Sequence, residues 1–134
     1  MSTRATTLFV LCALALTLAS CRPAGNEEPV RITEADAGST VELQQGQILE
    51  IALPGNPTTG YTWEVVTGAE AVLEQQGEPT FEAESELLGA GGVMTLTFVA
   101  SGRGEATLSL IYHRTFEPGV APLQTFEVMV IVGQ

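Results

Sequence analysis

Residues 93–99 read VMTLTFV, residues 106–112 read ATLSLIY, and residues 125–132 read TFEVMVIV. In each stretch, large apolar side chains recur at every second position. A period of two places these side chains on one face of a β-strand and the intervening ones on the other. The pattern therefore predicts three half-buried strands in the last third of the chain.

The same alternation recurs toward the N-terminus, and no stretch shows the spacing of an amphipathic helix. The alternating sets there are Leu49, Ile51 and Leu53, and then Tyr61, Trp63 and Val65. Residues 30–33 and 41–43 are shorter candidates, and Gly77 and Pro79 interrupt residues 71–83. About seven short strands with turns between them predict an all-β fold, an immunoglobulin-like antiparallel β-sandwich. A closed barrel fits the same pattern.

Three connections between the predicted strands stand out. Loop 1 is residues 54–60 (PGNPTTG), loop 2 is residues 87–92 (LLGAGG), and loop 3 is residues 113–123 (HRTFEPGVAPL). Successive antiparallel strands alternate in direction, so every second connection emerges at the same end. The three loops lie side by side if residues 61–86 supply an even number of strands. That condition requires residues 71–83 to form one interrupted strand.

The composition excludes several classes of function. Five Arg, no Lys and 16 acidic residues give a net charge of −11, which argues against binding nucleic acid. His113 and Asp36 are the only residues of their types, so a Ser-His-Asp triad or a multi-histidine metal site is not expected. We expect no enzyme, no metal and no cofactor. We interpret His113 as a strand-end surface residue, and Tyr61, Trp63 and Tyr112 as core residues rather than a ligand platform.

The N-terminus is typical of an export signal. Residues 8–18 form an apolar run of 11, too short to span a bilayer, and it leads into Leu-Ala-Ser before Cys21. This order resembles a bacterial lipobox, which predicts a signal peptide over residues 1–20 and lipidation at Cys21. An ordinary secretory signal is the alternative. Residues 22–28 then form a tether, and residues 29–134 form one domain.

The same interpretation assigns a role to each cysteine and predicts where the protein is located. Cys12 lies in the removed segment and Cys21 carries lipid, so the domain has no thiol for a disulfide. The protein is then exported and membrane-anchored through Cys21 in the cell envelope. Arg22 rather than Asp follows the cysteine, which favours the outer membrane in a Gram-negative cell.

Residues 56–61 (NPTTGY), 88–92 (LGAGG) and 112–116 (YHRTF) resemble, in order and spacing, the three signature loops of the chagasin family. That family consists of inhibitors of papain-like cysteine peptidases. The resemblance implies that the loops form a wedge in the active-site cleft, with loop 1 over the catalytic cysteine. The implied peptidase-binding residues are Asn56, Pro57, Thr58, Thr59, Gly60 and Tyr61 in the centre, Gly89, Ala90, Gly91 and Gly92 on one flank, and Arg114, Thr115 and Phe116 on the other.

Loop 3 departs from the family pattern, which is usually Arg-Pro-Trp. Here Thr115 lacks the fixed φ of proline, and Phe116 lacks the indole N–H and some of its area. The loop is therefore less preorganised, and we expect weaker binding or a shifted preference among peptidases. The expected function is reversible, competitive inhibition by a monomer. The alternative is an envelope adhesion or assembly domain that binds a protein partner through the same loops.

Overall fold

The computed structural model describes residues 28–66 and 69–134. The predicted signal peptide, Cys21 and residues 22–27 of the tether lie outside these residues. These residues contain nine strands: β1 (Val30–Thr33), β2 (Thr40–Gln44), β3 (Ile48–Gly55), β4 (Thr62–Val66), β5 (Leu73–Gln75), β6 (Thr80–Ala83), β7 (Gly92–Ala100), β8 (Gly104–His113) and β9 (Gln124–Gly133). The described part of the chain also has 3₁₀ helices at Glu34–Asp36 and Pro57–Thr59. None of the helices in the described residues has the length and apolarity needed to span a bilayer.

The strands form two sheets that pack face to face. One sheet has the order β1-β3-β7-β5 with β6 also paired to β7, and the other has the order β2-β9-β8-β4. Because the two sheets remain separate, the predicted β-sandwich is confirmed and the barrel alternative is wrong. The buried residues between the sheets are all apolar in the part of the chain that the structure describes.

The core follows from the alternation in the sequence. Every second residue of β7 is buried, from Gly92 to Ala100, and the same holds in β9 from Phe126 to Val132. Leu49, Ile51 and Leu53 of β3 lie beside the buried residues of β7 in the same sheet and, with them, form one core with the buried residues of β9 in the other sheet. Burying a large aliphatic side chain contributes about 1.5–3 kcal/mol. This packing is the source of stability, since the described residues contain no cysteine.

Two strand pairs are parallel, which the prediction of an antiparallel sandwich did not include. β1 runs parallel to β3, and β2 runs parallel to β9. At the 3₁₀ helix Glu34–Asp36 the chain reverses direction and crosses from the first sheet to the second. Because β2 therefore lies in the second sheet, β1 and β3 run in the same direction and are neighbours in the first. The Asp36 carboxylate accepts a hydrogen bond from the Thr33 N–H at 2.8 Å and stabilises this crossing. The edge of each sheet is thereby filled by a short strand, and the strands number nine rather than about seven.

Residues 71–83 form one interrupted strand, as the placement of the loops required. β5 and β6 both pair antiparallel with β7, so they run in the same direction. The break between them contains Gly77, at a φ of +69°, and Pro79, which cannot donate a ladder hydrogen bond. Together with β4, this interrupted strand gives two strands between loop 1 and loop 2, which is the even number that the placement of the loops required. The three loops therefore emerge at the same end of the sandwich.

Candidate functional site

The strand register brings the three loops together. Gly55 at the end of β3 pairs with Gly92 at the start of β7, which places loop 1 beside loop 2. Thr62 at the start of β4 pairs with His113 at the end of β8, which places loop 1 beside loop 3. Loop 1 also carries the chain from one sheet to the other, so it lies in the middle. The predicted arrangement of a central loop with two flanks is confirmed.

Loop 1 has a compact local structure. The Asn56 side-chain oxygen accepts hydrogen bonds from the Thr58 N–H at 3.2 Å and from the Thr58 hydroxyl at 2.5 Å, and so caps the 3₁₀ helix Pro57–Thr59. The Thr59 hydroxyl donates to the Asn56 carbonyl oxygen at 2.6 Å. Gly60 has a φ of +83°, a conformation that favours glycine, and turns the chain into β4. The tip is therefore a closed turn rather than an extended segment.

Asn56 also connects loop 1 to its neighbours. Its side-chain amide nitrogen donates a hydrogen bond to the Gly89 carbonyl oxygen of loop 2 at 2.9 Å. Its backbone N–H donates to the Tyr112 hydroxyl of β8 at 2.8 Å. The amide donor and acceptor of one side chain thus serve two loops, which neither an aspartate nor an alanine can do.

Arg114 connects loop 3 to loop 1. Its Nε donates a hydrogen bond to the Thr59 carbonyl oxygen at 3.0 Å. The ring of Phe116 packs directly over Gly60, since a Cβ at that position would lie 2.9 Å from Phe116 Cε1. Gly60 is thus favoured by its positive φ, and a side chain at this position would also displace the exposed Phe116 ring.

Aromatic rings join the core to the loops. The rings of Trp63 and Tyr112 lie 5.1 Å apart, and those of Tyr112 and Tyr61 lie 5.2 Å apart in a stacked arrangement. The Arg114 guanidinium lies 4.5 Å from the centre of the Tyr61 ring, within the range of a cation–π contact. The Trp63 indole N–H donates to the Pro54 carbonyl oxygen at 3.0 Å.

These contacts refine the prediction for the three aromatic residues. Trp63 and Tyr112 are buried core residues, as predicted, while Tyr61 is half-buried at the rim between Tyr112 and Arg114. Tyr61 was also expected to contact a peptidase, and the structure shows it supporting Arg114. Sequence reasoning did not find the hydroxyl of Tyr112 as an anchor for loop 1. The available signal was that a tyrosine in a core usually requires a hydrogen-bond partner.

The loop end exposes large apolar side chains more fully than the body of the domain does. Among the described residues, five large apolar side chains are at least 61% exposed, and all five belong to loops 2 and 3: Leu87, Leu88, Phe116, Val120 and Leu123. Those exposed elsewhere are at most 40% exposed. Their concentration on two loops at one end of an acidic domain favours this end as a binding surface. The prediction named only the glycines and alanine of loop 2 and did not include Leu87 and Leu88.

Loop 2 differs in extent from the prediction. It spans residues 84–91, closed by a hydrogen bond from the Glu84 N–H to the Gly91 carbonyl oxygen at 3.0 Å. Its base therefore carries Glu84 and Glu86, although the apolar tip is uncharged. Gly92 was expected to contact the partner, but it is a buried residue of β7. The backbone of β6 approaches so closely there that no side chain fits.

His113 belongs to β8 rather than to loop 3. It is half-buried, and its Nε2 lies 2.5 Å from a carboxylate oxygen of Glu64 on β4. The strand-end position agrees with the sequence analysis. In the described part of the chain, no three His, Cys, Asp or Glu residues are grouped so that they could hold a metal ion.

Comparison with known proteins gives relatives of this fold and sequence. Residues 42–130 match the family described as Chagasin family peptidase inhibitor I42. The chain is 34% identical to Chagasin of Trypanosoma cruzi over 91 residues, covering 63% of this chain and 80% of that one. It is 32% identical to Amoebiasin-1 of Entamoeba histolytica over 101 residues, covering 75% and 97%. The crystal structure of the cysteine protease inhibitor EhICP2 from Entamoeba histolytica shares the fold, with a TM-score of 0.68, 24% identity and coverage of 78% and 96%.

Proposed function

The chain belongs to the chagasin family of peptidase inhibitors, and from this premise we propose that it inhibits papain-like cysteine peptidases reversibly and competitively. Membership in a family of inhibitors agrees with the expectation that the chain is not an enzyme. It also favours inhibition over the alternative of an envelope adhesion domain.

The observation that carries the proposal is the bonded set of three loops with exposed apolar flanks. Loop 1 enters the active-site cleft with Thr58 and Thr59 at its tip, and the flanking loops contact the rims of the cleft. Leu87 and Leu88 of loop 2 and Phe116 of loop 3 supply apolar area that is released from water on binding.

The shape of loop 1 explains why it blocks the cleft without being cut. Peptidases cleave segments that lie extended in the active site, whereas Pro57–Thr59 is a 3₁₀ turn. The capping bonds of Asn56 and the fixed φ of Pro57 resist opening into an extended strand. Since the turn is already formed before binding, little conformational entropy is lost when the complex forms.

Titration of papain with the purified full chain tests the proposal. We expect stoichiometric loss of activity that is relieved by raising the substrate concentration. The inhibitor should be recovered uncleaved after long incubation. If several papain-type enzymes keep full activity at micromolar concentrations of the chain, the proposed function is wrong.

A change toward the family pattern in loop 3 should strengthen inhibition. Thr115→Pro together with Phe116→Trp restores a fixed φ and a larger aromatic anchor with a hydrogen-bond donor. We expect the inhibition constant for papain to fall by about tenfold, which corresponds to about 1.4 kcal/mol. Stopped-flow measurement of the association and dissociation rates checks this result. An unchanged inhibition constant would show that Phe116 already binds the peptidase as well as tryptophan would.

We also propose that the protein is a monomer anchored to the cell envelope through lipid on Cys21. Gln47 donates a hydrogen bond to the Glu28 carbonyl oxygen at 3.1 Å, and Gln47 directly precedes β3, at the end of that strand opposite loop 1. A tether joined at residue 28 would therefore leave the loops clear of the membrane. Processing that is blocked by globomycin, and a fatty acid attached to Cys21, would support lipidation; a secreted chain with a free N-terminus would exclude it.

A further inference from the structure

We propose that Glu117 is a positioning residue for inhibition, which closes the turn at the start of loop 3 by an ion pair with Arg114. The backbone N–H of Glu117 donates to the Arg114 carbonyl oxygen at 3.2 Å, so these residues are the first and last of a four-residue turn. The Arg114 Nη1 also lies 3.2 Å from Glu117 Oε1. The turn is thus closed twice, once by the backbone and once by charge.

The second position of this turn explains why a second closure is needed. Proline is favoured at this position because its ring already holds the φ that the turn requires. The chagasin-family pattern Arg-Pro-Trp places proline there, whereas this chain has Thr115. The Thr115 N–H makes no hydrogen bond to any described residue, so proline fits without loss of a bond. We infer that the ion pair supplies the rigidity that proline would otherwise give.

The ion pair acts on binding through the groups that Arg114 contacts. With Nη1 held by Glu117, the guanidinium keeps Nε on the Thr59 carbonyl oxygen and remains over the Tyr61 ring. This arrangement holds loop 3 against loop 1, with the Phe116 ring over Gly60. Glu117 therefore fixes the position of the exposed aromatic side chain that contacts the peptidase. Both charged side chains are partly exposed, at 33% and 38%, so the effect is modest.

A double-mutant cycle in the full chain tests this role, which rests on the proposed function. Glu117→Gln keeps the shape of the side chain and removes its charge. We expect it to raise the inhibition constant for papain about fivefold when residue 115 is threonine. We expect less than about a twofold change in the Thr115→Pro background, because proline already fixes the turn. An equal loss in both backgrounds, or no loss in either, would overturn the proposal.

Two further measurements make the result unambiguous. The matched control is Glu50→Gln, which breaks the ion pair of Glu50 with Arg31 on the side of the sandwich, and it should leave inhibition unchanged in both backgrounds. Backbone ¹⁵N relaxation of the free protein should show residues 115–117 becoming more mobile in Glu117→Gln and rigid again when Thr115→Pro is added. This readout does not require inhibition. A chain that fails to inhibit papain but shows the mobility pattern contradicts the proposed function alone, and unchanged mobility contradicts the role of Glu117.

Discussion

Replacing Thr58 and Thr59 together by glutamate is expected to weaken inhibition of papain by about 10²- to 10³-fold. Both residues are exposed at the tip of loop 1, where the cleft of a peptidase would remove them from water. A carboxylate buried there without a cationic partner costs about 3–5 kcal/mol. The larger side chains also prevent the tip from reaching the bottom of a narrow cleft. Measurement of the inhibition constant at several substrate concentrations gives the size of the loss.

The fold should survive this double substitution. The two hydroxyls donate only within loop 1, to the side-chain and backbone oxygens of Asn56. Each such bond contributes about 1 kcal/mol, so the free energy of unfolding should fall by less than about 2 kcal/mol. Thermal denaturation checks this expectation. A large loss of stability together with the loss of inhibition would mean that the loop serves the fold rather than the binding of a partner.

A control with the same change of charge separates a local effect from a general one. Thr40→Glu with Thr107→Glu also adds two negative charges, at exposed positions of β2 and β8 in the body of the sandwich. If the acidity of the chain alone governs binding, the control weakens inhibition as much as the loop variant does. We expect the control to change the inhibition constant by less than about twofold. Both positions lie away from the three loops, and salt screens the interaction of such distant exposed charges with a molecule bound at the loops.

The alternation of apolar residues predicted most of the sandwich because it reports directly which side of a strand is buried. Leu49, Ile51 and Leu53 are buried as that pattern required. The same pattern gives no information about strand direction, so the parallel pairing of β1 with β3 could not be predicted. That pairing depends on a reversal at Glu34–Asp36 that spans only three residues.

The candidate site was predictable to the extent that its residues have local signatures. Asn56, Pro57 and Gly60 each have a conformational preference that the turn uses, and the structure shows each in that role. The bonds between loops have no such signature. The contact of Asn56 with Gly89 joins residues 33 positions apart, and that of Arg114 with Thr59 joins residues 55 apart. These contacts depend on the strand register, which brings the loops together, so no local sequence pattern indicates them.

Gly92→Ala tests the one predicted contact residue that the structure places inside the fold. A Cβ at this position would lie 2.0 Å from the Glu82 carbonyl oxygen and 2.8 Å from the Ala83 Cα. These are backbone atoms of β6, so relief requires β6 to move away from β7. We expect the free energy of unfolding to fall by about 1–3 kcal/mol or more, as in other overpacked sites. Inhibition should fall by about tenfold as well, because loop 2 begins where β6 ends.

Gly91→Ala is the matched control, since it adds the same methyl group one residue earlier. The nearest atom to a Cβ there is the Gly55 carbonyl oxygen at 3.7 Å, an ordinary contact, and the φ of Gly91 is not positive. Its stability should stay within about 0.5 kcal/mol of the natural chain. Chemical denaturation of both variants, beside their inhibition constants, separates two roles for Gly92. If Gly92→Ala is as stable as Gly91→Ala yet inhibits poorly, Gly92 contacts the peptidase as the loop resemblance implied. If it loses stability and inhibition together, the glycine is required because two strands meet there with no space for a side chain.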